Sequence, residues 1–225
     1  MSYILHIDST TKVCSIALSK NDKLIQLIEL DSDGLAHSEK LHLFIEECLE
    51  KANIKPSHLD AISVSKGPGS YTGLRIGVSA AKGLCYGLNI PLIAIDTLTA
   101  MAYSVAHDVE KDAVLIPMID ARRVEVFCSI HQSGEKIKEV HARILDKEPF
   151  DEITAEKVYY FGDGAGKAEE HLNSSWTYLS YPKTSAKNLV SIAWQKFIIN
   201  DFEDVAYFEP SYHKNFNAGK PKRIF

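Results

Sequence analysis

The sequence predicts an α/β protein of two related lobes, each a mixed β-sheet with helices packed against it. The main observation is a shared coarse pattern: each half opens with apolar strands joined by short turns and then passes into strands alternating with helices. The second is size, since 225 residues, 45% of them hydrophobic and 24% charged, suffice to bury a core in each half. Residues 1–100 are expected to form the first lobe, and residues 101–225 the second lobe and a tail. The repetition is one of pattern, with no residue-level self-similarity in view.

Tyr3 to Asp8 alternates as a strand and breaks at the polar turn formers Ser9, Thr10 and Thr11. Cys14 to Ser19 and Lys23 to Leu30 follow as strands through the turn-prone Asn21-Asp22, making an antiparallel meander that Asp31 to Gly34 closes. Leu41, Phe44, Ile45, Cys48 and Leu49 recur at helical spacing, until Asn53 and Pro56 stop the run. Ala61 to Ser65 is a short strand that feeds a glycine-rich loop and a helix to about Gly87. Leu92 to Ile95 is the next strand, and Asp96 or Thr97 caps a helix through Ala106. In the second half, Val114 to Ile119, Val124 to Ile130, Lys136 to Arg143 and Val158 to Phe161 read as strands, and Ala186 to Asn200 as a helix. Asp120-Ala121-Arg122-Arg123 is the hairpin connection between the first two.

A net charge of -5 gives no general attraction for polyanions. The basic run Lys214 to Arg223 reads as a solvated terminus or as a local contact. No apolar run approaches the roughly 18 residues that span a bilayer, and the start lacks the pattern of a signal peptide. A cytoplasmic location without membrane contact is expected. Cys14, Cys48, Cys85 and Cys128 are widely spaced within apolar segments, which suits reduced, mostly buried thiols rather than a metal knuckle or a disulfide framework.

The loop Gly67-Pro68-Gly69-Ser70-Tyr71-Thr72-Gly73-Leu74-Arg75-Ile76-Gly77 is the most informative stretch. Gly67 and Gly69 allow backbone conformations closed to other residues, and Ser70 or Thr72 caps the helix that follows. Such a strand-to-helix turn offers amides to an anion, yet both the Walker pattern and the dinucleotide fingerprint fail in it. A tight packing turn and a ligand loop therefore both stand. Beyond it, Gly73, Gly77 and Ala81 form one small-residue row and Ser79, Gly83 and Gly87 a second. Glycine costs about 1 kcal/mol relative to alanine in a helix, so the rows imply close packing. They leave one face for a helix of this chain and one for another subunit.

Asp8 at a strand end is the best isolated carboxylate for a site, or else a turn residue bonding nearby amides. Gly162-Asp163-Gly164-Ala165-Gly166-Lys167 also follows a strand and misses both phosphate fingerprints. His37 and His42 are five residues apart, roughly 140° around a helix, and so cannot share a metal. No metal site is expected, and no nucleophile elbow is present.

Ile7-Asp8-Ser9-Thr10, His37-Ser38-Glu39-x-Leu41, the loop Gly67 to Gly77, Asp120-Ala121-Arg122-x3-Val126 and Gly162-Asp163-Gly164 occur in the order of one family. Over essentially its whole length the chain resembles the TsaB (YeaZ) family. The resemblance implies an actin/Hsp70-like (ASKHA) fold, with Asp8, Ser9 and Thr10 at the first phosphate turn and Gly162 to Gly164 at roughly the second. Asp8, Ser9, Thr10, Gly67, Gly69, Gly162 and Gly164 would then lie near any nucleotide.

The resemblance also implies a non-catalytic partner of a TsaD-like paralogue. With a TsaE-like ATPase, the pair would transfer threonylcarbamoyl to the tRNA adenosine beside the anticodon. Where that paralogue has two metal-binding histidines four residues apart, this chain has His37 and Leu41. His37, Leu41, Phe44, Leu74, Gly77, Val78 and Ala81 are the implied pairing surface, toward the paralogue or a second copy as a homodimer. ATP or ADP would sit at the joint with the paralogue, and tRNA would be touched only indirectly. A stand-alone ATPase or small-molecule kinase on the same fold is the alternative, motivated by Asp8 and the two glycine turns.

Overall fold

Two five-stranded sheets with the same internal order carry the structure. The computed structural model describes residues 1–31, 36–146, 150–181 and 183–214, without the side chains of Ala36 and His37. The first sheet contains β1 (Tyr3–Asp8), β2 (Val13–Lys20), β3 (Lys23–Asp31), β4 (Ala61–Ser65) and β5 (Leu92–Ile95), in the order β3-β2-β1-β4-β5. β1, β2 and β3 form the expected antiparallel meander, while β4 and β5 run parallel to β1. The second sheet contains β6 (Val114–Asp120), β7 (Glu125–Gln132), β8 (Glu135–Ile144), β9 (Val158–Phe161) and β10 (Thr177–Leu179). Its order, β8-β7-β6-β9-β10, repeats the first with the same parallel and antiparallel pairings.

α1 (Ala36–Lys51) and α2 (Tyr71–Leu88) cover one face of the first sheet. Leu5 and Ile7 of β1 point into this layer, where they meet Leu41, Ile45, Val78 and Ala81. The Ser70 hydroxyl accepts from the Gly73 amide at the start of α2, and Asn89 ends the helix in the left-handed conformation at φ 55°. Ile4, Ala61, Ile93 and Ile95 point to the opposite face, which is covered by Leu189 and by Ala193 of α4 (Val190–Ile198). The expected final helix is therefore a 3-10 turn, Ala186–Leu189, continued by α4. α3 (Thr97–Val105), capped by the Asp96 carboxylate on the Thr99 amide at 2.8 Å, packs on the second sheet through Leu98, Met101 and Val105.

The expected boundary at residue 100 needs correction, because it falls inside α3 while α4 returns to the first sheet. The second lobe also lacks counterparts of α1 and α2 among the described residues. Its outer face is closed by the connections themselves, with Leu145, Phe150, Ala165, Ala168 and Trp176 against Val114, Ile116 and Met118.

Candidate functional site

The matching order of the sheets superposes two sets of turns, one per lobe. β1 ends at Ile7-Asp8 and β6 at Ile119-Asp120, and each aspartate accepts the amide two residues on, Thr10 at 3.0 Å and Arg122 at 2.6 Å. The neighbouring parallel strands β4 and β9 end in Gly67-Pro68-Gly69 and Gly162-Asp163-Gly164, with Gly67 at φ 116° and Gly162 at φ 105°. Gly162 to Gly164 is thus the counterpart of Gly67 to Gly69. The second-lobe counterpart of the Asp8, Ser9 and Thr10 turn is Asp120, Ala121 and Arg122. The Ile-Asp repeat was present in the sequence but is too short to stand out without the strand order.

Asp8 is 2% exposed, and its carboxylate accepts from the Thr10 amide, the Thr10 hydroxyl at 2.7 Å and the Ser65 hydroxyl at 2.8 Å. The expectation of a turn residue bonding nearby groups describes it well. On the same face of the sheet, His6 lies between the Ser63 hydroxyl at 2.6 Å and the Ser19 hydroxyl at 2.8 Å, and burial holds its imidazole down at about 3. Ser65, Ser63 and Ser19 could be anticipated only by pairing the strands.

The glycine loop closes onto the first turn. The Ser70 amide donates to the Thr10 carbonyl at 2.6 Å, and the Thr97 amide to the Gly67 carbonyl at 2.9 Å. A Cβ on Gly69 would lie 2.4 Å from the Thr10 carbonyl oxygen, and one on Gly73 would lie 2.0 Å from that of Ser9. Gly77 meets the Ser9 hydroxyl in the same way at 2.2 Å, and that hydroxyl donates to the Gly73 carbonyl at 2.8 Å. Gly162 and Gly164 press on Met118, Ile119 and Asp120, and the Gly164 amide donates to the Met118 carbonyl at 3.2 Å. The Ser70, Gly73 and Gly164 amides are engaged inside the chain, and the carbonyl oxygens of Thr10, Ser9 and Met118 lie where a Cβ on Gly69, Gly73 or Gly162 would sit. Close approach of backbone accounts for these glycines, and no step through a bound nucleotide follows from the arrangement.

The β6–β7 turn differs from its counterpart in chemistry. The Asp120 carboxylate is half exposed and pairs with Lys167 at 2.6 Å, while the Asp163 carboxylate accepts the Asp120 amide at 3.1 Å. Asp163 is exposed as a residue, but the atoms packed around its carboxyl, and then the Asp120 charge, push its pKa upward, against the Asp120 amide it accepts and the charge of Lys12 from the β1–β2 turn.

A chain segment then bridges the turns of both lobes. The Ser211 amide donates to the Lys66 carbonyl at 2.8 Å, and Tyr212 packs on Tyr71 with ring centroids 5.0 Å apart. Lys214 donates to the Ala121 carbonyl at 3.2 Å and pairs with Glu125.

Of the expected pairing residues, Leu41, Leu74, Gly77, Val78 and Ala81 are buried within the first lobe and Phe44 is half-buried. Their role in the described structure is to seat α1 and α2 on the sheet. The His37 side chain lies outside the described residues. Facing outward on α2 are Ser79, Gly83, Tyr86 and Gly87. Among the described residues no cluster of three His, Cys, Asp or Glu side chains is placed to hold a metal, and no helix is long and apolar enough to cross a membrane.

The family model described as TsaD, tRNA N6-adenosine threonylcarbamoyltransferase, matches residues 34–215. The chain belongs to this family. Within it the similarity runs to the TsaB (YeaZ) branch. The tRNA threonylcarbamoyladenosine biosynthesis protein TsaB of Escherichia coli is 28% identical over 96% of this chain and 96% of its own length. The protein of that name from Haemophilus influenzae is 34% identical over 56% of this chain, and the match spans 52% of its length. YeaZ from Pseudomonas aeruginosa superposes with a TM-score of 0.76 at 25% identity, over 94% of this chain and 100% of its own. The two-lobed arrangement is that of the actin/Hsp70-like fold.

Proposed function

We propose that the chain is a non-catalytic partner subunit in tRNA threonylcarbamoyladenosine biosynthesis. It pairs through α1 and α2 with a TsaD-like paralogue that transfers threonylcarbamoyl to the adenosine beside the anticodon, and a TsaE-like ATPase acts on the pair. The names of the TsaB relatives support the process.

The outward face of α2 is the observation that carries the partner role. Gly83 and Gly87 have nothing within 4 Å of where a Cβ would sit, and Tyr86 between them is 86% exposed. Glycine within a helix costs about 1 kcal/mol relative to alanine, and no contact among the described residues offsets that at Gly83. A helix from another molecule can approach closely over such a face, because interaxial distance follows side-chain size. Of the two small-residue rows on α2, that of Gly73, Gly77 and Ala81 turns inward, with Gly73 and Gly77 against Ser9, and that of Ser79, Gly83 and Gly87 turns outward. A second copy of the chain competes for the same face. The buried, fully engaged Asp8 carboxylate favours this reading over a stand-alone ATPase or kinase.

Reconstitution tests it. Capture of the catalytic paralogue by the wild-type chain, and its loss on Gly83→Leu with folding intact, are expected. Undiminished modification in cells lacking this chain, together with no capture, would end the proposal.

A further inference from the structure

We propose that Ser211 to Lys214 form a clasp between the two lobes that opens in mild acid, with His213 as the group that takes up the proton.

The segment grips one lobe at each end. On the first lobe, the Ser211 amide donates to the Lys66 carbonyl at 2.8 Å, and a Cβ on Gly67 would lie 2.7 Å from the Ser211 carbonyl oxygen. Tyr212 packs on Tyr71, and its hydroxyl accepts from Arg75 Nε at 3.4 Å. On the second lobe, the His213 ring lies against Phe127 of β7 with centroids 6.2 Å apart. Lys214 donates to the Ala121 carbonyl and pairs with Glu125. Just before the clasp, Lys82 of α2 holds the Ala206 and Phe208 carbonyls at 3.2 and 2.9 Å. That anchor leaves a pivot at Glu209 and Pro210, so the clasp can swing away without disturbing either sheet.

The seam beneath the clasp is where polar groups lack partners. Among the described residues, Thr97 Oγ1 and His213 Nε2 are the buried side-chain atoms with no hydrogen bond. Thr97 belongs to the same crossing, because its amide donates to the carbonyl of Gly67, the glycine on which Ser211 packs. An unpaired nitrogen kept from water weakens the docked state, since release hydrates it.

The charges around His213 nearly cancel. Asp96 at the start of α3 and Glu139 of β8 face it, as do Lys66 at the end of β4 and Lys136 of β8. Lys136 and Glu139 pair with each other at 2.8 Å, the Asp96 carboxylate caps the Thr99 amide, and Glu125 of β7 is taken by Lys214. Burial is the larger influence, and it lowers the imidazole below its ordinary value. The docked ring therefore stays neutral where a released ring, with its ordinary value of about 6.5, takes up a proton. Closure is complete above that value and is lost progressively as the pH falls below it. With the docked ring neutral, the released form gains about tenfold between about pH 7.5 and 5.5. Opening also frees Tyr71 and Arg75 on the first turn of α2, which ties the clasp to the docking face. That last consequence alone rests on the proposed partner role.

The test is an NMR titration of the full chain by itself from about pH 7.5 to 5.5, following the His213 ring, the Ser211 amide and the hydrogen exchange of that amide. In wild type, His213 should titrate below the ordinary histidine value, and the Ser211 shift should move with the same midpoint. Protection of the Ser211 amide, corrected for the intrinsic pH dependence of exchange, should fall about five- to tenfold. His213→Phe keeps a ring against Phe127 but cannot be charged, and its Ser211 protection should not respond to acid. His213→Asn, smaller and equally unable to titrate, should behave alike. Amides of β1 and β7 should keep their protection in all three proteins. A Ser211 amide indifferent to the titration of His213 would overturn the proposal. So would the same acid loss in both variants, or an equal loss across β1 and β7.

Discussion

Two glycines six residues apart on α2 should respond to alanine with opposite signs. Gly83 lies inside the helix, exposed, with open space at its Cβ position. Alanine there should gain about 0.8–1 kcal/mol from helix propensity alone. For a chain of this size, that raises Tm by about 2–4 °C. Gly77 has the same propensity to gain, but its new Cβ would stand 2.2 Å from the Ser9 hydroxyl oxygen. Either α2 shifts off β1, or Ser9 rotates and loses its bond to the Gly73 carbonyl. Overpacking costs about 1–3 kcal/mol and a lost buried hydrogen bond about 1 kcal/mol, so Gly77→Ala should destabilise by about 1–3 kcal/mol net. Urea unfolding of both variants measures the difference. A Ser9→Ala background should recover part of the Gly77→Ala loss, because it removes the atom in the way. If Gly77→Ala proves as benign as Gly83→Ala, α2 is not seated on the first turn as described.

Acid should weaken the fold through His6, which stays neutral when folded because burial holds it at about 3, while the unfolded chain takes up a proton near pH 6.5. That contribution is complete above about pH 6.5 and falls by about 1.4 kcal/mol per pH unit toward pH 3. Urea midpoints between pH 7 and 4 should show it, with His131, held at about 4, adding to the decline. Asp8→Ala should cost about 2–4 kcal/mol, since the Thr10 amide, the Thr10 hydroxyl and the Ser65 hydroxyl lose their acceptor together. Denaturant titration would read that loss, and a change below 0.5 kcal/mol, about the size seen at ordinary surface sites, would contradict the buried network. Burial pushes Cys85 and Cys128 up to about 12, so thiol reagent at pH 8 should reach them only on unfolding. Native labelling at the rate of a free thiol would show these sites to be open.

Strands and helices with a strong local signal were legible in the sequence. β1, β4, β5 and β9 run between the residues that alternation and turn formers mark, and Ser70 and Asp96 cap the helices they precede. β10 was not legible, because three residues, Thr177 to Leu179, make no pattern and owe their strand to pairing with β9. The site divides along the same line. Asp8 was visible as a carboxylate at a strand end, whereas its partner Ser65 is 57 residues away and is brought in by the β1–β4 pairing. The glycine loop announced close packing but not its object. Only the structure shows that its neighbours are the Ser9 and Thr10 backbone, which fills the room a side chain would need. Periodicity likewise found apolar Leu41 and Ile45 without saying whether a partner or the chain's own sheet would cover them.

The exchange of α3 and α4 between the sheets bears on how the chain is made. The face formed by Ile4, Ala61, Ile93 and Ile95 receives its cover from Leu189 and Ala193, near the end of the chain. During synthesis the first sheet therefore stays half-dressed until Leu189 and Ala193 have left the ribosome. A fragment ending at residue 113 would expose that apolar surface and tend to aggregate instead of folding as an independent unit. Mature protein should correspondingly melt in a single cooperative transition, with neither half surviving the loss of the other.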